Sequence, residues 1–130
     1  MTAGTHGSTF GGNPLAVAVG NAVLDIILEP GFLDEVQARA ARLTQELACV
    51  KDESDGQVLE VRGLGLLTGL KVAPAAAEVV KAAIGERLLT VGAGDNVVRL
   101  LPPLNVTDEE IGEAAGRIAK ALRNVAKAST

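Results

Sequence analysis

The sequence predicts an α+β domain in which helices cover one face of a small, mostly antiparallel sheet. Three observations support this prediction. Apolar residues recur at helical spacing in four segments, short extended apolar runs come in pairs between them, and clusters rich in glycine or proline separate the segments. The resulting order is helix, helix, strand, strand, helix, strand, strand, helix, which is typical of a single α+β unit.

The helical part begins with an apolar segment that follows a polar, glycine-rich stretch. Asn13 is a good N-cap and Pro14 suits the first helical position, so a helix is predicted over residues 13–28. Its apolar residues lie on nearly every side, as in a helix that is buried all round. Because a domain of this length covers one or two faces of such a helix, we expect this one to contact another domain or subunit.

The second helix is predicted as an ordinary amphipathic surface helix. It follows the break at residues 29–31, extends over residues 32–48, and leads to a polar loop at residues 51–56. Residues 58–72 then read as two short strands or as one long bent strand, with glycines at a bulge or a close backbone approach. The glycines of residues 63–69 miss the spacing of a dinucleotide-binding motif by one position, and no helix is expected to begin there.

The second half of the chain is also predicted to contain helices and strands. A third helix is predicted to open at Pro74, followed by a short strand at residues 88–91, a turn at residues 92–96 and a strand at residues 97–101 that stops at two prolines. The last helix is predicted to begin at a capping box, Thr107 to Glu110. Its buried stripe is predicted to consist of Ile111, Ala115, Ile118, Leu122 and Val125.

Composition limits the classes of function. Of 130 residues, 48% are hydrophobic and 22% charged, the balance of a globular protein, and the net charge is -4. This acidic balance, with Phe10 and Phe32 as the only aromatic residues, argues against nucleic-acid binding. One cysteine and one histidine argue against a metal site. The sequence contains no membrane-length apolar run and no signal-peptide pattern, so we expect a soluble, cytoplasmic protein.

Two places in the sequence are candidates for binding an anion. Ser8 and Thr9 offer hydroxyls just before the first helix start, where free amides and partial positive charge favour a phosphate or carboxylate. The same residues are also typical of an ordinary loop that caps a helix. Arg99 lies among apolar neighbours on a predicted strand, where a charge needs a partner or a ligand. Alternatively, it lies at a sheet edge with its guanidinium in water.

Three motifs occur in order along the chain. They are Gly4-Thr5-His6-Gly7-Ser8-Thr9-Phe10-Gly11-Gly12-Asn13-Pro14-Leu15-Ala16, Val61-Arg62-Gly63-Leu64-Gly65-Leu66-Leu67 and Arg99-Leu100-Leu101-Pro102-Pro103-Leu104. Together they resemble the C-terminal part of the class III pyridoxal-phosphate aminotransferases, in particular the branch that acts on acetylornithine and ornithine. The resemblance covers essentially the whole chain. It implies a phosphate-site loop at residues 1–12, an interdomain helix at 13–28 and the small C-terminal domain of a fold-type I enzyme at 29–130.

The resemblance also implies roles for the candidate residues. The threonine matching Thr9 holds the phosphate of pyridoxal 5'-phosphate across the dimer, and the serine matching Ser8 contacts the substrate. The arginine matching Arg99 grips the α-carboxylate of the amino-acid substrate, which suits a guanidinium because it pairs with a carboxylate through two parallel hydrogen bonds. The implied reaction is transamination between acetylornithine and 2-oxoglutarate in arginine biosynthesis, although related enzymes that use other amino donors share this region.

The resemblance places the catalytic groups outside this sequence. In the family, the Schiff-base lysine and the partner of the ring nitrogen precede the Ser-Thr motif in the large domain, and the chain's lysines do not match that position: Lys51, Lys71, Lys81, Lys120 and Lys127. We therefore expect a fragment without catalytic residues, inactive alone, whose partners are the large domain and a second copy. The alternative is a non-catalytic domain that self-associates or binds a small anion.

Overall fold

The computed structural model describes residues 7–128 and divides the chain into two compact units, residues 1–33 and 34–130. Residues 1–6, including His6 of the opening motif, lie outside the described part, as do residues 129–130. The elements are α1 (Pro14–Ile27), α2 (Phe32–Asp52), β1 (Val58–Leu64), β2 (Leu67–Val72), α3 (Ala76–Gly85), β3 (Val91–Ala93), β4 (Val97–Leu100) and α4 (Asp108–Ala128).

The first unit contains α1, which begins and ends as the capping residues predict. The Asn13 side chain accepts hydrogen bonds from the amides of Leu15 at 2.9 Å and Ala16 at 3.3 Å, so two of the free first-turn donors are satisfied. Although α1 is strongly apolar, none of its residues is buried in the described chain. The expected contact of this helix with another domain or subunit stays a prediction.

The end of α2 differs from the sequence prediction. The helix continues through Lys51 and Asp52, so the prediction of a loop at these two positions is wrong. Its apolar stripe runs on from Leu43 and Leu47 to Val50, and burying Val50 needs one more helical turn. The chain then turns at Asp55, whose φ is 49°, and at Gly56, whose φ is 80°.

The sheet of the second unit consists of two hairpins joined side by side. Its strand order is β1-β2-β4-β3, and all neighbouring strands are antiparallel. Residues 58–72 form two strands with a two-residue turn between Leu64 and Leu67, rather than one bent strand. Gly63 allows this turn, because a Cβ there would collide with the backbone oxygen of Leu67.

The second hairpin begins later than predicted. Instead of residues 88–91, β3 spans Val91–Ala93, so the prediction of a turn at positions 92 and 93 is also wrong. Pairing with β4 sets this position, because Val91 lies opposite Arg99 and Ala93 opposite Val97. Glycine and alanine are weak strand formers, and their cross-strand partners outweigh that intrinsic preference.

The core lies on the face of the sheet that carries Leu70, Val72 and Val98, where all three side chains are at most 1% exposed. Side chains from α2, α3 and α4 pack into the same cluster, among them the complete predicted stripe of α4: Ile111, Ala115, Ile118, Leu122 and Val125. These features confirm the predicted α+β class. Among residues 7–128 no single helix is long and apolar enough to cross a membrane, and α1 and α2 meet that criterion only when taken together.

Both helices that follow the sheet hairpins have well-defined starts. The predicted capping box of α4 is present, with the Thr107 amide 2.8 Å from Glu110 Oε2 and the Glu110 amide 3.3 Å from Thr107 Oγ1. The hydrogen bond from the Thr107 amide lowers the pKa of the Glu110 carboxyl, with a further contribution from the Thr107 hydroxyl. At α3, the cap residue Ala75 has no polar side chain, and Asn96 accepts from the amide of Ala76 at 2.8 Å instead.

Candidate functional site

The first candidate site residues, Ser8 and Thr9, lie in the exposed loop that leads into α1. The loop closes through a hydrogen bond from the Asn13 amide to the Phe10 carbonyl at 3.2 Å, with Gly12 in the left-handed region at φ 76°. A Cβ at position 11 would lie 3.1 Å from Ser8 Cβ, so the glycine there lets the chain fold back on Ser8. The sequence therefore brings the two hydroxyls to the start of a helix.

The donors of this loop fit a phosphate group. Within residues 7–128 neither the Ser8 nor the Thr9 hydroxyl has a hydrogen-bond partner, and the first turn of α1 carries no acidic residue. Because Asn13 already satisfies two first-turn amides, an anion here would rely mainly on the two hydroxyls and on the positive end of the helix. These are neutral, exposed donors, suited to contribute part of a phosphate site.

The third candidate, Arg99, lies on β4 in the second unit. Val98 and Leu100 point into the core, whereas Arg99 is exposed on the opposite, open face of the sheet. β4 is paired on both sides, with β2 and with β3, so Arg99 does not lie on an edge strand, although its side chain is exposed to water as that alternative also expected. In the described part of the chain no carboxylate or carbonyl pairs with the Arg99 guanidinium, which leaves its hydrogen-bonding fork available.

Glycine makes room beside this arginine. Gly69 lies on β2. It is directly opposite Arg99 on the neighbouring strand β4, and on its other side it is opposite Arg62 on β1. A Cβ at Gly69 would come within 2.7 Å of Val97 Cγ1, so a side chain there would displace Val97. A shallow cavity of about 260 Å³ lies over this row, and both arginines line it.

A second cavity, of about 240 Å³, lies on the core side of the sheet near the two prolines that end β4. Its lining is mostly aliphatic, and its one carboxylate, Glu110, is engaged in the capping box of α4. None of the candidate residues Ser8, Thr9 and Arg99 lines this cavity. Among residues 7–128 no group of three or more His, Cys, Asp or Glu side chains could hold a metal ion.

An ion-pair cluster on the open face was not anticipated from the sequence. Both carboxylate oxygens of Asp95 lie 3.0 Å from Lys71 Nζ, and Asp95 Oδ2 lies 3.3 Å from an Arg62 nitrogen. The hydrogen bond and the charge of Lys71, followed by those of Arg62, hold the pKa of Asp95 below its usual range. The sequence predicts only that Asp95 lies in a turn before a strand. It does not predict that Arg62 on β1 and Lys71 on β2 are its partners.

Comparisons with known proteins agree with this fold and with the motifs. The family model described as aminotransferase class-III matches residues 1–122. The chain is 56% identical to the acetylornithine aminotransferase of Mesorhizobium japonicum over 98% of its own length and 32% of that protein. It is 53% identical to acetylornithine aminotransferase 1 of Bradyrhizobium diazoefficiens, over 100% of its length and 32% of that protein.

Solved structures give the same result. N-acetylornithine aminotransferase from Stenotrophomonas maltophilia matches with a TM-score of 0.83 at 34% identity, over 91% of this chain and 33% of that one. The ornithine aminotransferase from Toxoplasma gondii matches with a TM-score of 0.79 at 34% identity, over 98% of this chain and 31% of that one. The chain thus spans about a third of the length of these relatives. It belongs to the class III aminotransferase family.

Proposed function

We propose that this chain contributes contacts to the cofactor phosphate and to the amino-acid substrate of a pyridoxal-phosphate-dependent aminotransferase that exchanges an amino group between acetylornithine and 2-oxoglutarate. The observation that carries the proposal is the Arg99 guanidinium, which has no partner within residues 7–128 and is exposed beside Gly69 on the open face of the sheet. The named activity of the relatives that are more than half identical supports the choice of substrates.

Arg99 is proposed to bind the α-carboxylate of the amino-acid substrate. A carboxylate and a guanidinium form two parallel charge-assisted hydrogen bonds, and the guanidinium keeps its charge at any working pH. Two structural features favour this role. The side chain comes from a strand that is paired on both sides, and the neighbouring position on β2 has no side chain that would obstruct a ligand.

Thr9 is proposed to donate its hydroxyl to the cofactor phosphate, and Ser8 to contact the substrate. Both hydroxyls are exposed and unpaired within residues 7–128, which supports these roles. A helix start and two hydroxyls together supply about 1–3 kcal/mol, whereas micromolar binding needs about 8 kcal/mol. We therefore expect the remainder of the phosphate site to come from outside this chain.

The chemistry of the reaction is proposed to reside elsewhere in the enzyme. Pyridoxal phosphate, when bound, supplies the electron sink for transamination. The residues of this chain that we assign bind and orient ligands, and none of them is a lysine in the position of the Schiff base. Binding groups without an acid, a base or a nucleophile accelerate no bond-making step. The chain alone, with both substrates and added cofactor, is expected to show no turnover above the rate of free cofactor.

The partners are proposed to be the large domain of the enzyme and a second copy of the chain, in the cytoplasm. Support comes from α1, whose large apolar residues are exposed: Leu15 is 74% exposed, Leu24 is 53% exposed and Ile26 is 52% exposed. The alternative, a non-catalytic domain that self-associates, predicts the same assembly through α1 but no activity in any context.

A chimera separates these two functions. The matching 32% of the Mesorhizobium japonicum enzyme is replaced by this chain, which aligns over 98% of its length. We expect the chimera to bind pyridoxal phosphate and to transaminate acetylornithine with 2-oxoglutarate at a rate within about tenfold of the parent. A chimera that folds and binds the cofactor but transfers no amino group from acetylornithine would favour the non-catalytic alternative.

A further inference from the structure

Three cationic side chains share the open face of the sheet. Arg62 on β1 and Arg99 on β4 both lie directly opposite Gly69 on β2, and Lys71 lies two residues further along β2. Directly opposite residues of antiparallel strands project to the same face, as do residues two apart on one strand. Any carboxylate that approaches this face therefore meets three cations.

Two carboxylates occupy the same face. Asp95 pairs with Lys71 at 3.0 Å and with Arg62 at 3.3 Å, and Glu60 lies 3.8 Å from the other terminal nitrogen of Arg62. Within residues 7–128 neither carboxylate pairs with Arg99. Among the described residues, this face thus holds three cations and two carboxylates, and the surplus positive charge is located at Arg99.

The position of Asp95 is fixed by its neighbour in the turn between β3 and β4. Both Asp95 and Asn96 adopt positive φ angles, 62° and 55°. The side-chain Nδ2 of Asn96 donates to the Val72 carbonyl at 2.6 Å and to the Pro74 carbonyl at 2.8 Å, while its side-chain Oδ1 accepts from the backbone amide of Ala76. These bonds tie the turn to the end of β2 and the start of α3, so Asp95 is held where both cations reach it.

We propose that Asp95 is a positioning residue for carboxylate recognition: by occupying Arg62 and Lys71, it leaves Arg99 as the cation that a carboxylate ligand binds on this face. The proposal rests on the proposed role of Arg99. Asp95 itself does not touch the ligand. Arg62 and Arg99 are separated by two strand spacings, about 10 Å between backbones. Without Asp95, Arg62 would keep only the 3.8 Å contact of its other terminal nitrogen with Glu60, and it would offer a competing cation beside Arg99.

The test is a titration of the full chain with sodium acetate against sodium chloride at equal ionic strength. The Nε–Hε NMR signals of Arg62 and Arg99 report which guanidinium binds, and each is assigned by its loss in Arg62→Met or Arg99→Met. In the wild-type chain, acetate is expected to shift the Arg99 signal and to leave that of Arg62 unchanged. In Asp95→Asn both signals are expected to respond, and Asp95→Glu is expected to restore the wild-type pattern.

A matched control is Asp55→Asn, which removes an exposed aspartate that also has a positive φ but has no ion pair in the described chain. It is expected to behave like the wild type. An Arg62 signal that stays silent in a folded Asp95→Asn chain would overturn the positioning role while leaving the role of Arg99 intact. An Arg99 signal that does not respond in the wild type would overturn the proposed function and this inference together.

If Asp95→Asn does not fold, Arg62→Gln decides the matter. Because Arg62 is already occupied, removing its charge is expected to change the acetate affinity of Arg99 by less than about twofold at physiological salt. A loss of affinity as large as that caused by Arg99→Met would show that both arginines bind the ligand, which contradicts the inference.

Discussion

The two faces of the one sheet differ in almost every respect. On the core face, Leu70 and Val98 are completely buried and pack under the helices. The open face instead carries three cationic side chains around Gly69: Arg62, Lys71 and Arg99. Because side chains alternate along a strand, one short strand such as β4 serves both faces. The core face and the open face can therefore be altered separately, by changing alternate residues of one strand.

The largest stability effect is expected on the core face. Leu70→Ala should lower the free energy of unfolding by about 2–5 kcal/mol, since it removes a fully buried side chain and leaves a cavity. Leu67→Ala, on the same strand but 46% exposed, is the matched control and should cost less than about 1 kcal/mol. Urea denaturation measures both values. Equal losses from the two variants would show that the faces do not differ in their contribution to stability.

A smaller effect is expected where the turn of the second hairpin joins the rest of the sheet. Asn96→Gly keeps the positive φ available but removes the side chain that bonds Val72, Pro74 and Ala76. The loss of these bonds should destabilise the chain by about 1–3 kcal/mol in the same urea experiment. Asn105→Gly, at an exposed loop position without a hydrogen bond described for its side chain, is the control. No loss from Asn96→Gly would mean that the turn is not held by this side chain.

The smallest effect concerns the capping box at the start of α4. The folded-state pKa of Glu110 is lowered, so this interaction stabilises the fold above the ordinary carboxyl pKa and is lost as the pH falls through the lowered value. Thr107→Val removes the hydroxyl but keeps the backbone amide, which is the larger cause. We expect the pKa of Glu110 to rise part of the way toward its ordinary value in an NMR titration. An unchanged pKa would exclude a contribution from the hydroxyl.

Much of the core face could be predicted from the sequence. The stripe of α4 and its capping box depend on residues three or four positions apart, which the sequence displays directly. The end of α2 was predicted too early because Val50 continues a stripe whose burial depends on the sheet. The position of β3 was wrong because pairing with β4, rather than the strand preference of Gly92 and Ala93, decides it.

The open face could be predicted only in part. Arg99 stood out because a charge among apolar residues needs an explanation, and the motif resemblance suggested its role. The ion pairs of Asp95 join residues 24 and 33 positions apart, and the cap of α3 comes from 20 positions away. Such contacts depend on the strand order β1-β2-β4-β3, which no local pattern specifies. Ser8 and Thr9 were visible as a motif, and their roles stay predictions.

The carboxylate contact of Arg99 can be measured in the chimera with the Mesorhizobium japonicum enzyme. Arg99→Met is expected to lower kcat/KM for acetylornithine by about 100-fold, which corresponds to about 2.7 kcal/mol for a lost charge-assisted pair. Arg123→Met, an exposed arginine of α4, is the matched control and should leave kcat/KM unchanged. Equal kcat/KM values for the two variants would contradict the proposal that the open face binds the substrate through Arg99.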